Sequence, residues 1–269
     1  MSTVVCFHAH PDDEALYTGG TMARLAAEGH RVVLVTATAG EAGLAASALS
    51  QGTPLGERRA GELAASAKIL GCARTVLLGY ADSGMADAPT DHPDAFARVD
   101  PETAARRLAD ILVEEAADAL TVYDAAGGYG HPDHIQVHRV GTRAAQLAAT
   151  PVVAEATVDR RALQRAVRLV GWAARTTAEL QPSHYATLYS PTGALTHRVD
   201  VRRHLGQKRA AMRAHASQAT ADGAGRTLAW FLRLPPPLFA VVFGREWFIE
   251  QGRTPAARPL DDLLASLRR

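Results

Sequence analysis

The feature that most constrains this chain is an alternation. Short runs rich in Val, Ile and Leu are separated by longer alanine-rich stretches whose apolar residues recur at helical period. Short apolar runs bury as strands and 3.6-period stripes bury as helices, so a regular alternation of the two specifies βαβ units around a mostly parallel sheet. Strands are predicted near Thr3–Phe7, Arg31–Thr36, Thr75–Leu78, Ala119–Tyr123 and Pro151–Thr157, and helices over Gly19–Glu28, Glu57–Leu70, Pro101–Ala117 and Asp133–Ala148.

The expected class is therefore α/β, Rossmann-like, with helices on both sheet faces and the site at the C-terminal ends of the strands. With 269 residues, 47% of them hydrophobic, the chain can bury a full core. Residues 1–160 read as the core, and 161–269, where the pattern weakens, as an extension or cap completing the same domain. A helix is expected from about Arg202 to Ser217.

Charge excludes some partners. Lys and Arg total 29 against 28 acidic residues, a net charge of +1, so no field draws the protein to nucleic acid or anionic lipid. The ten-residue Leu234–Phe243 stretch is half the roughly twenty residues that a membrane span needs. Two cysteines, Cys6 and Cys72, lack a CxxC spacing, and the N-terminus has no basic leader, so a reducing cytoplasm is expected. The partner is read as a small molecule, and a homo-oligomer is compatible with these features.

In such sheets ligands bind beyond the carboxyl ends of the strands. The loops expected to converge are His8–Tyr17, Ala37–Ser47, Gly79–Asp100 and Asp124–Asp133. The first holds His8-Ala9-His10-Pro11-Asp12-Asp13-Glu14, and the last leads into Tyr129-Gly130-His131-Pro132-Asp133-His134. An aspartate before a helix is ordinarily a cap. Two imidazole-carboxylate clusters at neighbouring strand ends instead match a catalytic zinc site with three protein ligands and one open position. His-Pro-Asp also occurs at His92, where no second ligand lies nearby, and that copy reads as a surface turn.

Ala9-His10-Pro11-Asp12-Asp13-Glu14 and Gly130-His131-Pro132-Asp133-His134, about 120 residues apart, resemble the paired motifs of the LmbE-like (PIG-L) zinc-dependent N-deacetylases. The likeness covers most of residues 1–150 and resumes at Lys208–Gln218, through Ala214-His215-Ala216-Ser217-Gln218. Asp82-Ser83-Gly84-Met85, Arg98-Val99-Asp100-Pro101 and Tyr123-Asp124 are similar to the actinobacterial branch that deacetylates N-acetylglucosaminyl inositol in mycothiol synthesis. Related mycothiol-conjugate amidases and antibiotic-pathway deacetylases share these features.

The resemblance implies that His10, Asp13 and His134 ligate zinc, with ferrous iron or cobalt accepted by the same set. It implies that Asp12 is the base and that His131 acts as an imidazolium oriented by Asp133, which would raise its pKa. Tyr129 would donate to the oxyanion, a contact type worth about 2.7 to 4 kcal/mol in other enzymes. Glu41, Arg59, Asp82 and Met85 would line the crevice and bind the N-acyl amino sugar. His138 is set aside as a ligand, and His215 reaches the site only if the C-terminal helix folds back.

Three other readings compete. A two-histidine, one-carboxylate iron oxygenase fits the residue types, but the familiar ones stand on double-sheet β barrels, which the βα alternation contradicts. A dinucleotide-binding module would need Gly-x-Gly-x-x-Gly after the first strand, where this chain has His-Ala-His-Pro-Asp-Asp. A catalytically idle interaction protein has no positive support, because every expected ligand and acid/base residue is present.

Overall fold

The computed structural model describes residues 1–43, 54–165, 188–219 and 227–268. Their strands are β1 (Thr3–His8), β2 (Arg31–Thr38), β3 (Arg74–Tyr80), the short pair β4 (Gly84–Met85) and β5 (Ala88–Pro89), β6 (Ala119–Tyr123), β7 (Val152–Thr157), β8 (His197–Asp200) and β9 (Arg245–Glu250). The helices are α1 (Gly19–Ala27), α2 (Leu55–Leu70), α3 (Pro101–Glu114), α4 (Pro132–Ala148), α5 (Leu205–Ala214), α6 (Ala216–Ala219), α7 (Thr227–Arg233) and α8 (Pro236–Phe243). All nine strands and helices expected through Thr157 are present within a few residues of their predicted bounds, so the class is α/β.

Seven strands form one sheet in the order β3-β2-β1-β6-β7-β9-β8. β1, β2, β3, β6 and β7 run parallel, while β9 pairs antiparallel with both β7 and β8. β1 and β2 are apolar and buried nearly throughout because helices cover both faces. Alternate side chains serve opposite layers. Val4 and Cys6 pack with Met22, Leu63, Leu70, Met212 and Phe239, whereas Val5 and Phe7 pack with Leu108, Leu112, Val137 and Val140.

Topology places the site. From β1 the chain winds outward to β2 and β3, then returns to the other flank of β1 as β6 and continues to β7. Strand order therefore reverses between β1 and β6, which opens the crevice where such sheets bind ligands. The two histidine-rich segments leave these two adjacent strands.

β8 and β9 lie beyond the strands expected from sequence. They add the final two strands to the same sheet, so part of the chain described after residue 188 belongs to it. Glu246 of β9 is buried and pairs with Lys208 of α5; its carboxylate also accepts from the amides of Gly20 and Thr21 at 2.8 and 2.7 Å. The parts of Ala37–Ser47 past residue 43, and the arginine-rich segment near Arg175, lie outside the described residues. No described helix is long and apolar enough to cross a membrane.

At the opposite end of the sheet, Glu115 closes α3 and takes Arg31 Nε at 2.6 Å and Arg74 Nη1 at 2.8 Å. The Arg31 hydrogen bond is the first cause that brings the Glu115 carboxyl down from 4.5 to about 2. A folded-state pKa below the unfolded one stabilises above the unfolded value and is lost as pH falls. Glu115→Gln is therefore expected to lower the melting temperature at pH 7, with the difference from wild type closing between about pH 4.5 and 2. A difference that stays constant across that range in thermal melts would contradict this role.

Candidate active site

The backbone after β1 is unusual. Asp12 has φ +104, a region costing a residue with a side chain about 1–3 kcal/mol. A π-helical turn, Glu14–Thr18, follows and leads into α1. Such turns recur at functional sites because they redirect side chains within one turn. The second segment begins α4: His131 is the N-cap, Pro132 occupies the first turn, and the Asp133 amide donates to His131 Nδ1 at 3.1 Å.

These loops bring Asp13 between two imidazoles. Asp13 Oδ2 lies 3.2 Å from His10 Nδ1 and 3.3 Å from His134 Nε2. Ligands held at about 2.0–2.2 Å around a tetrahedral zinc stand about 3.3–3.6 Å from one another. His134 is fully buried, yet neither of its ring nitrogens has a hydrogen bond among the described residues. Its ring stacks on Tyr123 with centroids 4.2 Å apart and planes at 17°.

His10 Nε2 faces Asp133 Oδ2 at 3.0 Å and Asp82 Oδ1 at 3.5 Å. A proton on Nε2 satisfies Asp133 and leaves the Nδ1 lone pair directed at the Asp13 carboxylate. At 3.2 Å, Nδ1 and that carboxylate oxygen can share a proton or a metal cation. Burial disfavours a charged His10, but hydrogen bonds to Asp13, Asp133 and Asp82 outweigh it and hold its pKa well above the ordinary value. Asp13 is held well below the usual carboxylate range: His134 and His10 override the cost of its burial. The donor set and the orphaned His134 nitrogens thus fit a divalent ion.

By mutual separation of ligand atoms within 4.8 Å, the described residues offer two groupings, His10-His131-His134 and His10-Asp82-His131-Asp133, neither of which contains Asp13. Both include His131, whose Nδ1 already accepts the Asp133 amide. The neutral ring then carries its proton on Nε2, where it is a hydrogen-bond donor and a poor ligand.

Several expected roles change on this geometry. The Asp133 carboxylate faces His10, not His131; only its backbone amide meets His131. The His131 pKa is not raised: burial, reinforced by His10 and His134, pushes it down to about 4. Burial and the Asp133 amide on Nδ1 both favour a neutral ring with its proton on Nε2. Arg59 is not on the rim but 3% exposed, with Nη1 donating to Gly40 O at 2.5 Å, Nη2 donating to Pro11 O, and Asp12 Oδ1 3.5 Å away.

The remaining candidates spread outward. Burial, partly offset by Arg59, pushes the Asp12 carboxyl up to about 6. Tyr129 is 38% exposed with its ring 5.0 Å from that of His134. Exposed Glu41 accepts the Asp82 amide at 2.8 Å, and Met85 stands on the β4-β5 hairpin at 44% exposure. His138 bonds the Tyr123 carbonyl at 3.0 Å, one turn below the cluster. His92 lies in an exposed turn.

Sequence reasoning missed the supporting residues. The Tyr123 hydroxyl lies 2.9 Å from His8 Nδ1, and His8 Nε2 lies 2.8 Å from Thr18 Oγ1. A tyrosine ending a fully buried strand was the available signal, since its hydroxyl must find a partner. Asp124 braces the second loop by accepting from Gly128 N at 2.9 Å, Thr157 Oγ1 at 2.5 Å and Ser190 Oγ at 3.1 Å. Gly128 has φ +67, and a Cβ there would meet Tyr17 Oη and Tyr189 Cε1 at 2.9 Å.

Against this geometry the comparisons with known proteins are informative. The family model described as PIG-L, GlcNAc-PI de-N-acetylase, matches residues 5–145, which span both histidine-rich segments. The chain belongs to the PIG-L family. A 1D-myo-inositol 2-acetamido-2-deoxy-alpha-D-glucopyranoside deacetylase of Acidothermus cellulolyticus is 38% identical over 264 residues, covering 93% of this chain and 88% of that relative. Among solved structures, an N,N'-diacetylchitobiose deacetylase from Pyrococcus horikoshii superposes with a TM-score of 0.61 at 22% identity, covering 95% of this chain and 88% of that one. A 4-carboxy-2-hydroxymuconate hydratase from Pseudomonas putida KT2440 also reaches 0.61, at 18% identity over 96% and 99% of the two chains. The PIG-L fold thus hosts unlike reactions, and the site has to separate them.

Asp133→Ala tests the pairing found here, because a methyl group cannot accept the His10 proton. Loss of such a carboxylate partner typically weakens ion binding about 10- to 100-fold. Titration against a competing chelator is expected to show that loss. Unchanged zinc affinity with lowered turnover would return Asp133 to the service of His131.

Proposed function

We propose that this PIG-L protein hydrolyses the acetamide of an N-acetylglucosaminyl-inositol-type amino sugar, using one divalent ion, zinc, held by His10, Asp13 and His134. The observation that carries the reading is Asp13 Oδ2 poised between two imidazole nitrogens at 3.2 and 3.3 Å, in a chain 38% identical to a relative named for that deacetylation. When bound, such an ion supplies Lewis acidity, which acidifies water and polarises an acyl carbonyl.

The chain's own residues supply the proton chemistry. Asp12, beside Arg59, accepts a proton from the attacking water and later returns it to the departing amine. His131, with its proton on Nε2, and the Tyr129 hydroxyl donate to the oxyanion that develops on the acyl oxygen as water adds to the carbon. Glu41, Asp82 and Met85 form the approach on which sugar and inositol hydroxyls are read. Asp82 also touches His10, so it links the substrate side to the ion side.

Two variants separate these roles. Asp12→Ala is expected to abolish turnover with about one zinc per chain retained, whereas His134→Ala loses both. Zinc retained by His134→Ala in elemental analysis would show the ligand set to be wrong. For substrate, free-amine release is compared for N-acetylglucosaminyl inositol, a mycothiol S-conjugate and a glycopeptide-antibiotic N-acyl sugar. The highest kcat/KM is expected for the first; preference for either of the others would overturn the substrate assignment.

A further inference from the structure

The peptide unit joining Pro11 to Asp12 is held at both of its polar atoms. Arg59 Nη2 donates to the Pro11 carbonyl, and the Asp12 amide donates to Glu14 Oε2 at 2.9 Å. The Asp12 carbonyl accepts from the amides of Ala15 at 3.1 Å and Leu16 at 3.2 Å. With both flanking peptide planes anchored, Asp12 is kept at φ +104, a conformation its side chain disfavours and which a peptide flip would relieve.

Glu14 does not hold its place alone. It is fully buried; Oε1 accepts from Ser66 Oγ at 2.5 Å and lies 2.6 Å from His215 Nε2. His215, also fully buried, sits at the break between α5 and α6. The adjoining Ser217 donates through its amide and hydroxyl to Glu62, at 2.8 and 2.7 Å. Arg59, Glu62 and Ser66 share one face of α2, at spacings of three and four residues. One helix face and one late turn thus grip the same strained loop from behind.

We propose that His215 is a positioning residue for Asp12: through Glu14 it locks the Pro11–Asp12 peptide and so keeps the Asp12 carboxylate off the side of the loop where Asp13 meets the imidazoles. The role rests on the reading of Asp12 as the base, but its physical content, a held amide, is separately measurable. A late segment of the chain then serves catalysis without touching the substrate.

The test compares His215→Gln, whose side-chain amide N–H reaches where Nε2 stands, with His215→Asn, which falls short of it, and with His215→Ala. Exchange of the Asp12 backbone amide with deuterated water is followed alongside kcat, KM and zinc content. In the Asn and Ala variants that amide is expected to exchange faster, and kcat to fall by up to about 100-fold, the scale on which a misplaced group costs catalysis. KM and zinc content are expected to hold, and the Gln variant to recover both slow exchange and turnover. If the Ala variant does not fold, the Gln and Asn pair decides. Equal behaviour of Gln and Asn, or a kcat loss that tracks loss of zinc or a rise in KM, overturns the proposal. Should wild-type protein release no amine from the inositol substrate, the functional reading fails, while Asp12 amide exchange still decides the positioning role.

Discussion

The structure depends on one juxtaposition: a carboxylate oxygen of Asp13 set between His10 and His134, 3.2 and 3.3 Å from their ring nitrogens. Each residue comes from a different backbone feature, the exit of β1, the strained step at Asp12 and the first turn of α4. They meet because β1 and β6 are neighbours in a sheet whose strand order reverses between them. A crevice there is a consequence of topology; its electrostatics are a consequence of the two segments that line it.

The surroundings are arranged to keep that geometry. Behind His134 lies Tyr123, fixed by its hydroxyl to His8. Behind His10 lies Asp133, fixed by the Ser83 amide at 3.0 Å. Behind Asp12 lie Arg59 and Glu14. Burial makes each of these polar contacts hard to give up, since an unpaired buried group pays the full desolvation penalty. The same logic ties the described part of the C-terminal segment to the core: Lys208 and Glu246 anchor α5 and β9 to the start of α1, and the turn after α5 carries His215 to Glu14.

Much of this was legible in the sequence. The apolar runs of β1, β2 and β6 and the stripes of α1 to α4 each agree with their final environment, and the two histidine-rich segments announced themselves by residue type at strand ends. β8 and β9 were not legible. β8 is four residues long, and β9 reads Arg-Glu-Trp-Phe-Ile-Glu, with a glutamate turned inward that becomes acceptable only once Lys208 arrives. Within the site, the family resemblance implied that Asp133 orients His131, two residues away. The helix start decides otherwise: His131 caps α4 with its ring, so the Asp133 side chain leaves on the face toward β1. Arg59 was expected to line the crevice, because nothing local to α2 reveals that the carbonyls of Pro11 and Gly40 will draw it inward.

The neighbours in fold show why these details carry the function. At 18–22% identity the same sheet serves a deacetylase and a hydratase, so the arrangement of strands does not choose a reaction. In the proposed reading, what chooses is a three-residue grip on one ion beside a carboxylate base and a neutral imidazole donor. Anomalous diffraction at the zinc edge, from crystals of the intact chain grown with stoichiometric zinc, measures that grip directly. The account predicts a single ion bonded to His10, Asp13 and His134, with His131 outside bonding distance. An ion bonded to His131 in place of Asp13, or none between the two loops, would contradict it.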